Sequence, residues 1–144
     1  MSNVSAREVF EITAASFGTT IAAMGKRYQG RHGNTPMPAV ARTCAVMLAR
    51  AHTGDTYTRI AAIIGWHLPV HATRIRKAAD LFPDKLISDL VLRVQIQAIE
   101  DEIDRLHEAR VEAMEAAQKS GLAGLAYAPK ARAPKAKRRA EAAA

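Results

Sequence analysis

The sequence predicts an all-α fold, a bundle of about five helices followed by a long C-terminal helix and a disordered basic tail. Three observations carry that prediction. Helix starts carry capping signatures, glycines stand just past the ends of apolar runs, and large apolar residues recur every three or four positions, as on one helix face. The 144 residues are 49% apolar, which suits one modest core with appendages.

Ser5 and Glu8 form a capping box, each side chain satisfying the other's free backbone N–H, and Val4 with Val9 fits the hydrophobic staple around it. Helix one therefore starts near Ser5, with Phe10, Ala14 and Phe17 on one face and Gly18 as its left-handed stop. A short second helix turns Ile21 and Met24 inward. Residues 25–38, GKRYQGRHGNTPMP, read as a mobile basic loop carrying Lys26, Arg27 and Arg31. Val40, Cys44, Met47, Leu48 and Ala51 then recur at helical spacing, and Gly54 closes that helix. Thr56 or Asp55 caps the next, whose inner face is Tyr57, Ile60, Ala61 and Ile64, before Gly65 stops it.

Pro69 fits the first turn of a further helix, where its missing N–H costs nothing. Leu68, Ala72, Ile75, Ala79 and Phe82 are its apolar stripe. The opposite side carries His67, Val70, His71, Thr73, Arg74, Arg76 and Lys77, with no acid before Asp80. After Pro83 a long acidic helix runs to about Gln118. Its Leu92, Ile96, Ile99, Ile103 and Leu106 alternate steps of four and three, the spacing of a coiled-coil seam. Two heptads leave two outcomes open: pairing with a second copy or a partner protein through residues 86–114, or packing back on the core. From Ser120 the composition shifts to Ala, Pro, Lys and Arg, with too little apolar bulk to offset ordering entropy. The organisation expected is thus a core over 1–82, a long helix over 83–118 and a tail over 119–144.

Charge follows the same divisions. Residues 1–82 hold ten basic and four acidic side chains, 83–118 four and nine, and 119–144 seven and one, so two zones of net +6 flank one of −5. Basic zones suit a polyanion, because each neutralised phosphate releases condensed counterions. Cys44 is the only cysteine, so no intramolecular disulfide forms, and its apolar helical setting marks a buried, inert thiol. The first thirty residues lack a basic start followed by an apolar run, and no stretch approaches the ~20 apolar residues that span a bilayer. A cytoplasmic, nucleoid-associated protein without a membrane partner is expected.

Two short helices, 56–64 and 68–80, joined by the tight Gly65-Trp66-His67 turn and braced by the helix before them, outline a helix-turn-helix. The second helix of such a pair is narrow enough to enter the major groove of DNA. His67, Val70, His71, Thr73, Arg74 and Lys77 are the candidates for base edges: arginine bonds guanine bidentately, histidine donates or accepts, and valine meets a thymine methyl. Thr56, Thr58 and Arg59 at the start of the preceding helix are candidates for phosphate contact, as is Arg76. In the tail, Lys130, Arg132, Lys135, Lys137, Arg138 and Arg139 are expected to add affinity for double-stranded DNA without reading sequence.

These residues also carry a resemblance. VARTCAVMLARAHTGDTYTRIAAIIG followed by ATRIRKAADL is similar to the C-terminal DNA-binding domain of the bacterial chromosomal replication initiator (DnaA) family. The similarity extends back through REVFEITAASFGTTIAAMGKRYQ and forward past Pro83, over roughly 5–106. Ala45, Leu48, Ala49, Arg50, Thr53, Ile60, Gly65, Arg76 and Lys77 stand at equivalent family positions. The resemblance implies that Lys26, Arg27 and Arg31 reach the minor groove and that Arg42 touches the DNA backbone. It fails at the recognition turn, where the family's Gly-Gly-Arg-Asp-His-Thr-Thr-Val is replaced by Gly65, Trp66, His67, Leu68, Pro69, Val70 and His71, about one residue shorter. The family's sequence specificity is therefore not carried over. Trp66 either plugs the shortened turn or contacts DNA.

No Gly-x-x-x-x-Gly-Lys-Ser/Thr loop is present to hold nucleotide phosphates, so no nucleotide-driven motor is expected. His67 and His71 stand one turn apart but lack further ligands for a metal shell, and nothing assembles a catalytic triad; neither cofactor nor enzymatic activity is expected. The function expected is DNA binding that regulates replication initiation or transcription. The alternatives are a nonspecific architectural DNA coat, since the tail resembles the Lys-Ala-Pro tails of linker histones, and a protein adaptor acting through the acidic helix.

Overall fold

A computed structural model describes residues 3–27 and 36–127, with the backbone alone at Lys85, Ile87 and 122–127. Six α-helices and no strand occur among the described residues: α1 (Ala6–Ser16), α2 (Ile21–Met24), α3 (Met37–Thr53), α4 (Tyr57–Ile63), α5 (Pro69–Ser88) and α6 (Leu90–Tyr127). Of the expected loop 25–38, residues 28–35 lie outside the described residues, as do 128–144 of the expected tail; residues 119–127, also expected in the tail, are helical instead, so α6 continues past the end expected at Gln118. The chain divides into two compact units, Met1–His107 and Glu108–Ala144.

In the first unit, local signals set the ends of the helices. The Ser5 and Glu8 capping box forms on both sides, at 3.0 and 3.2 Å. Gly18 and Gly54 take the left-handed conformation that lets the chain leave α1 and α3. α3 is the hub, packing against α1, α2, α4 and α5. Its Ala41, Cys44, Ala45, Val46, Leu48 and Ala49 are buried, and the small residues among them allow several neighbours to approach one helix. Ala51, expected on the inner face, is exposed instead. Burial pushes the Cys44 thiol up to about 12, so it stays protonated near neutral pH.

The expected break at Pro83 does not occur, since α5 continues through it to Ser88. An interior proline forfeits one helical hydrogen bond, and here packing on both sides offsets that loss: Phe82 is buried and Leu86 lies against the core. The break falls at Asp89, whose backbone is extended. Its Oδ1 accepts from the Leu92 N–H at 2.9 Å, capping the start of α6.

The apolar spacing along α6 serves this core. Ile96, Ile99 and Ile103 are buried in it and Leu92 and Leu106 pack at its edge. Gln95 Nε2 donates to the Ser16 carbonyl oxygen at 3.0 Å, while the Asn3 N–H donates to His107 Nδ1 at 3.4 Å. α6 therefore runs antiparallel along α1, with Glu100 set 3.5 Å from His52 Nε2 at the end of α3. The seam considered for pairing with a second chain is occupied by the protein's own helices. In the second unit, the described chain is helical from Glu108 to Tyr127, and its described side chains are mostly exposed, Met114 among them. No described helix is long and apolar enough to cross a membrane.

Truncating Ile99, 2% exposed, to alanine should destabilise the protein by about 2–5 kcal/mol. Urea denaturation followed by circular dichroism measures this, and a loss below about 1 kcal/mol would contradict the packing of α6 on the core.

Candidate nucleic-acid interface

α4 and α5 pack on each other and both pack on α3, the arrangement outlined by the sequence. Thr56 caps α4, its Oγ1 accepting from the Arg59 N–H at 3.3 Å. Arg50 of α3 fixes the approach to α4: its Nη1 donates to the carbonyl oxygens of Gly54 and Asp55, at 3.3 and 2.8 Å, and its guanidinium lies 5.1 Å from the Tyr57 ring centroid. After α4 the chain reverses through Gly65, at φ +82°, and the Trp66 N–H returns to the Ala61 carbonyl oxygen at 3.0 Å. Leu68 sits at the N-cap of α5 with extended backbone. That places its side chain outward, 60% exposed, so the inner stripe of α5 starts after Leu68, contrary to the spacing argument.

Trp66 plugs the turn between α4 and α5. It is 7% exposed, and its indole N–H, which needs a partner once buried, donates to the Gly25 carbonyl oxygen at 2.7 Å. Arg42 lies over the same ring, 4.6 Å from its centroid, and its Nη1 donates to the Met24 and Lys26 carbonyl oxygens at 2.7 and 3.0 Å. Three consecutive carbonyls, at 24, 25 and 26, are thus gripped by two side chains, one from α3 and one from the turn between α4 and α5. Gly25 is required there, since a Cβ would overlap the Ile64 carbonyl oxygen. Arg42, expected at the DNA backbone, is half-buried and committed to this junction. Sequence reasoning missed it because its partners are backbone carbonyls, which leave no side-chain signature.

The junction fixes where the basic segment after α2 begins. Lys26 and Arg27 are exposed, and Arg27 Nη2 stands 3.5 Å from His71 Nε2 in the first turn of α5. On the outer side of α5, His67, Val70, Thr73, Arg74, Arg76 and Lys77 are all exposed. Val70, Thr73, Arg74 and Lys77 follow the i, i+3, i+4, i+7 spacing of one face, with Arg76 on its flank. Thr56, Thr58 and Arg59 are exposed on α4. The fold therefore brings the described part of the loop to the amino end of α5. Arg31, Lys130, Arg132, Lys135, Lys137, Arg138 and Arg139 lie outside the described residues.

His71 is half-buried. Its Nδ1 accepts the Leu68 N–H at 3.3 Å, replacing the acidic partner of an ordinary capping box. Desolvation, then the charges of Arg27 and Arg74 and the neighbouring His67, hold its pKa below the usual imidazole value. Among the described residues no three His, Cys, Asp or Glu side chains gather as a metal site.

Two outcomes follow. Gly25→Ala should destabilise the fold by about 1–3 kcal/mol in urea titrations, through overpacking against fixed backbone. His71 should titrate below about 6.5 when its ring protons are followed by NMR, and Arg27→Ala should raise that midpoint. Because the folded pKa is depressed, the stability linked to His71 is present above about 6.5 and is lost as pH falls through the folded value.

No protein-family model matches the chain, and no curated protein or solved structure matches it.

Proposed function

We propose that this protein binds double-stranded DNA, laying the amino-terminal half of α5 in the major groove while the segment after α2 reaches the neighbouring backbone or minor groove. The observation that carries this reading is the approach of Arg27 to His71, which sets the start of the basic loop beside an exposed face holding Arg74, Arg76 and Lys77 and no acid. The amino end of a helix adds partial positive charge, which favours phosphate. An α-helix with its side chains is about 10–12 Å wide, matching a major groove of about 12 Å.

In this reading His67, Val70, His71, Thr73, Arg74 and Lys77 meet base edges. Lys26, Arg27, Thr56, Thr58, Arg59 and Arg76 meet phosphates and set the register. The basic tail raises affinity and association rate through counterion release. The departure from the initiator family at 65–71 goes with a different target, and the activity is regulation of replication initiation or of transcription by occupying sites on the nucleoid. What supports that role is the resemblance over 5–106, at residues now seen to hold the fold: Ala45, Leu48, Ala49 and Ile60 are buried in the core.

Selection of bound sequences from a random duplex pool, followed by titrations at several salt concentrations, tests the reading. Arg74→Ala should reduce discrimination between the selected and a scrambled duplex by about 1–3 kcal/mol. Arg27→Ala should weaken both duplexes alike and lower the salt slope by about one unit. Absence of salt-sensitive binding to any duplex would reject DNA binding, and equal losses on every duplex from Arg74→Ala would reject its assignment to a base.

A further inference from the structure

At the other end of α5, past the cationic stretch, the surface changes character. A groove of about 710 Å³ opens between α1, α3, α5 and α6, lined by Phe17, Met37, Val40, Leu81, Phe82 and Val91 among others. Beside it the first turns of α6 expose Leu90, Val91 and Val94, at 65%, 77% and 63%, while Met37 and Leu81 are 53% and 66% exposed. Leu90, Val91 and Val94 share one side of the helix, so they form a ridge next to the groove.

We propose that a second copy of this chain occupies the groove, the Leu90–Val94 ridge of each protomer filling the hollow of the other about a twofold axis. A twofold interface uses one patch on both partners, so that patch must carry both knob and hole; here the two lie side by side. The five exposed side chains leave on the order of 500 Å² of apolar surface per copy, and two copies together reach the ~1,000 Å² lower bound of a specific interface. Charge agrees as well. Asp89 and Arg93 are both exposed at the edge of the ridge, and a twofold axis that crosses the ridge sets the Arg93 of each copy toward the Asp89 of the other.

The segments outside the described residues have little apolar bulk to supply a filling. Residues 128–144 contain no Val, Ile, Leu, Met, Phe or Trp, and 28–35 offer only Tyr28. The groove begins at Ala78 on α5, so pairing leaves His67 to Lys77 accessible, and the inference stands independently of DNA binding.

Sedimentation equilibrium of the full chain, from low micromolar to several hundred micromolar at moderate salt, tests the proposal. The mass should rise from 15.6 kDa toward twice that value. Leu81→Glu and Val91→Glu, on different helices and both at exposed positions that the fold does not need, should each weaken self-association at least a hundredfold with unchanged circular dichroism. Met114→Glu, at another exposed apolar position that does not line the groove, should leave it intact. Should one glutamate variant misfold, the other decides. A chain that remains monomeric at the highest concentration overturns the proposal, as does self-association that persists undiminished in a folded glutamate variant.

Discussion

The grip on the carbonyls of Met24, Gly25 and Lys26 is the constraint on which the rest of the architecture depends. Arg42 reaches it from the hub helix and Trp66 from the turn between α4 and α5. Each contact is modest alone, since a hydrogen bond contributes about 0.5–1.5 kcal/mol net and about 1.5–3 when one partner is charged. Their value lies in what they join. A helix-turn-helix can present its second helix without help from a loop, but here the turn and the loop share one anchor, so a displacement of either disturbs both. The buried indole fills the space that the turn, the loop and the hub helix enclose between them.

Much of this was legible because its causes are local. Ser5 with Glu8, Thr56, and the glycines at 18, 54 and 65 do what the chemistry of capping and of positive φ requires, and Cys44 is buried as its apolar surroundings implied. What escaped was set by tertiary packing. Local rules make Pro83 a helix breaker, yet Phe82 and Leu86 anchor the helix on either side of it. Spacing alone puts Leu68 in the apolar stripe, but residue counting cannot register that the stripe's first member has left helical geometry. The spacing in α6 fitted either of two partners, and only the positions of Ser16, Asn3 and His52 show that the partner is the same chain. Of the candidate interface, the exposed face of α5 was legible from periodicity, whereas the role of Arg42 and the proximity of Arg27 to His71 depend on residues distant in sequence.

The alternating zones of charge also acquire a structural meaning. The acids of 83–118 belong chiefly to α6, where Asp101, Glu102, Asp104, Glu108, Glu112 and Glu115 face solvent while the isoleucines face the core. The helix can thus carry dense negative charge at little cost, because each carboxylate stays hydrated. The cations of α5 lie on a different helix, and within 67–77 no acid interrupts them. Segregating charge by helix face and by helix half lets one small protein keep a cationic surface and still limit its net charge to +7.

Trp66 is the only tryptophan in the chain, and it stands at the meeting point of the hub, the loop and the turn, stacked under Arg42 with the His71 ring 5.1 Å away. The protein therefore carries a built-in optical probe at its most interconnected position. Its indole emission, excited selectively over the tyrosines, comes from a single, water-shielded ring, so a change in its colour or intensity is attributable to that one spot, and a neighbouring imidazolium, when it forms, acts as a quencher of the excited state.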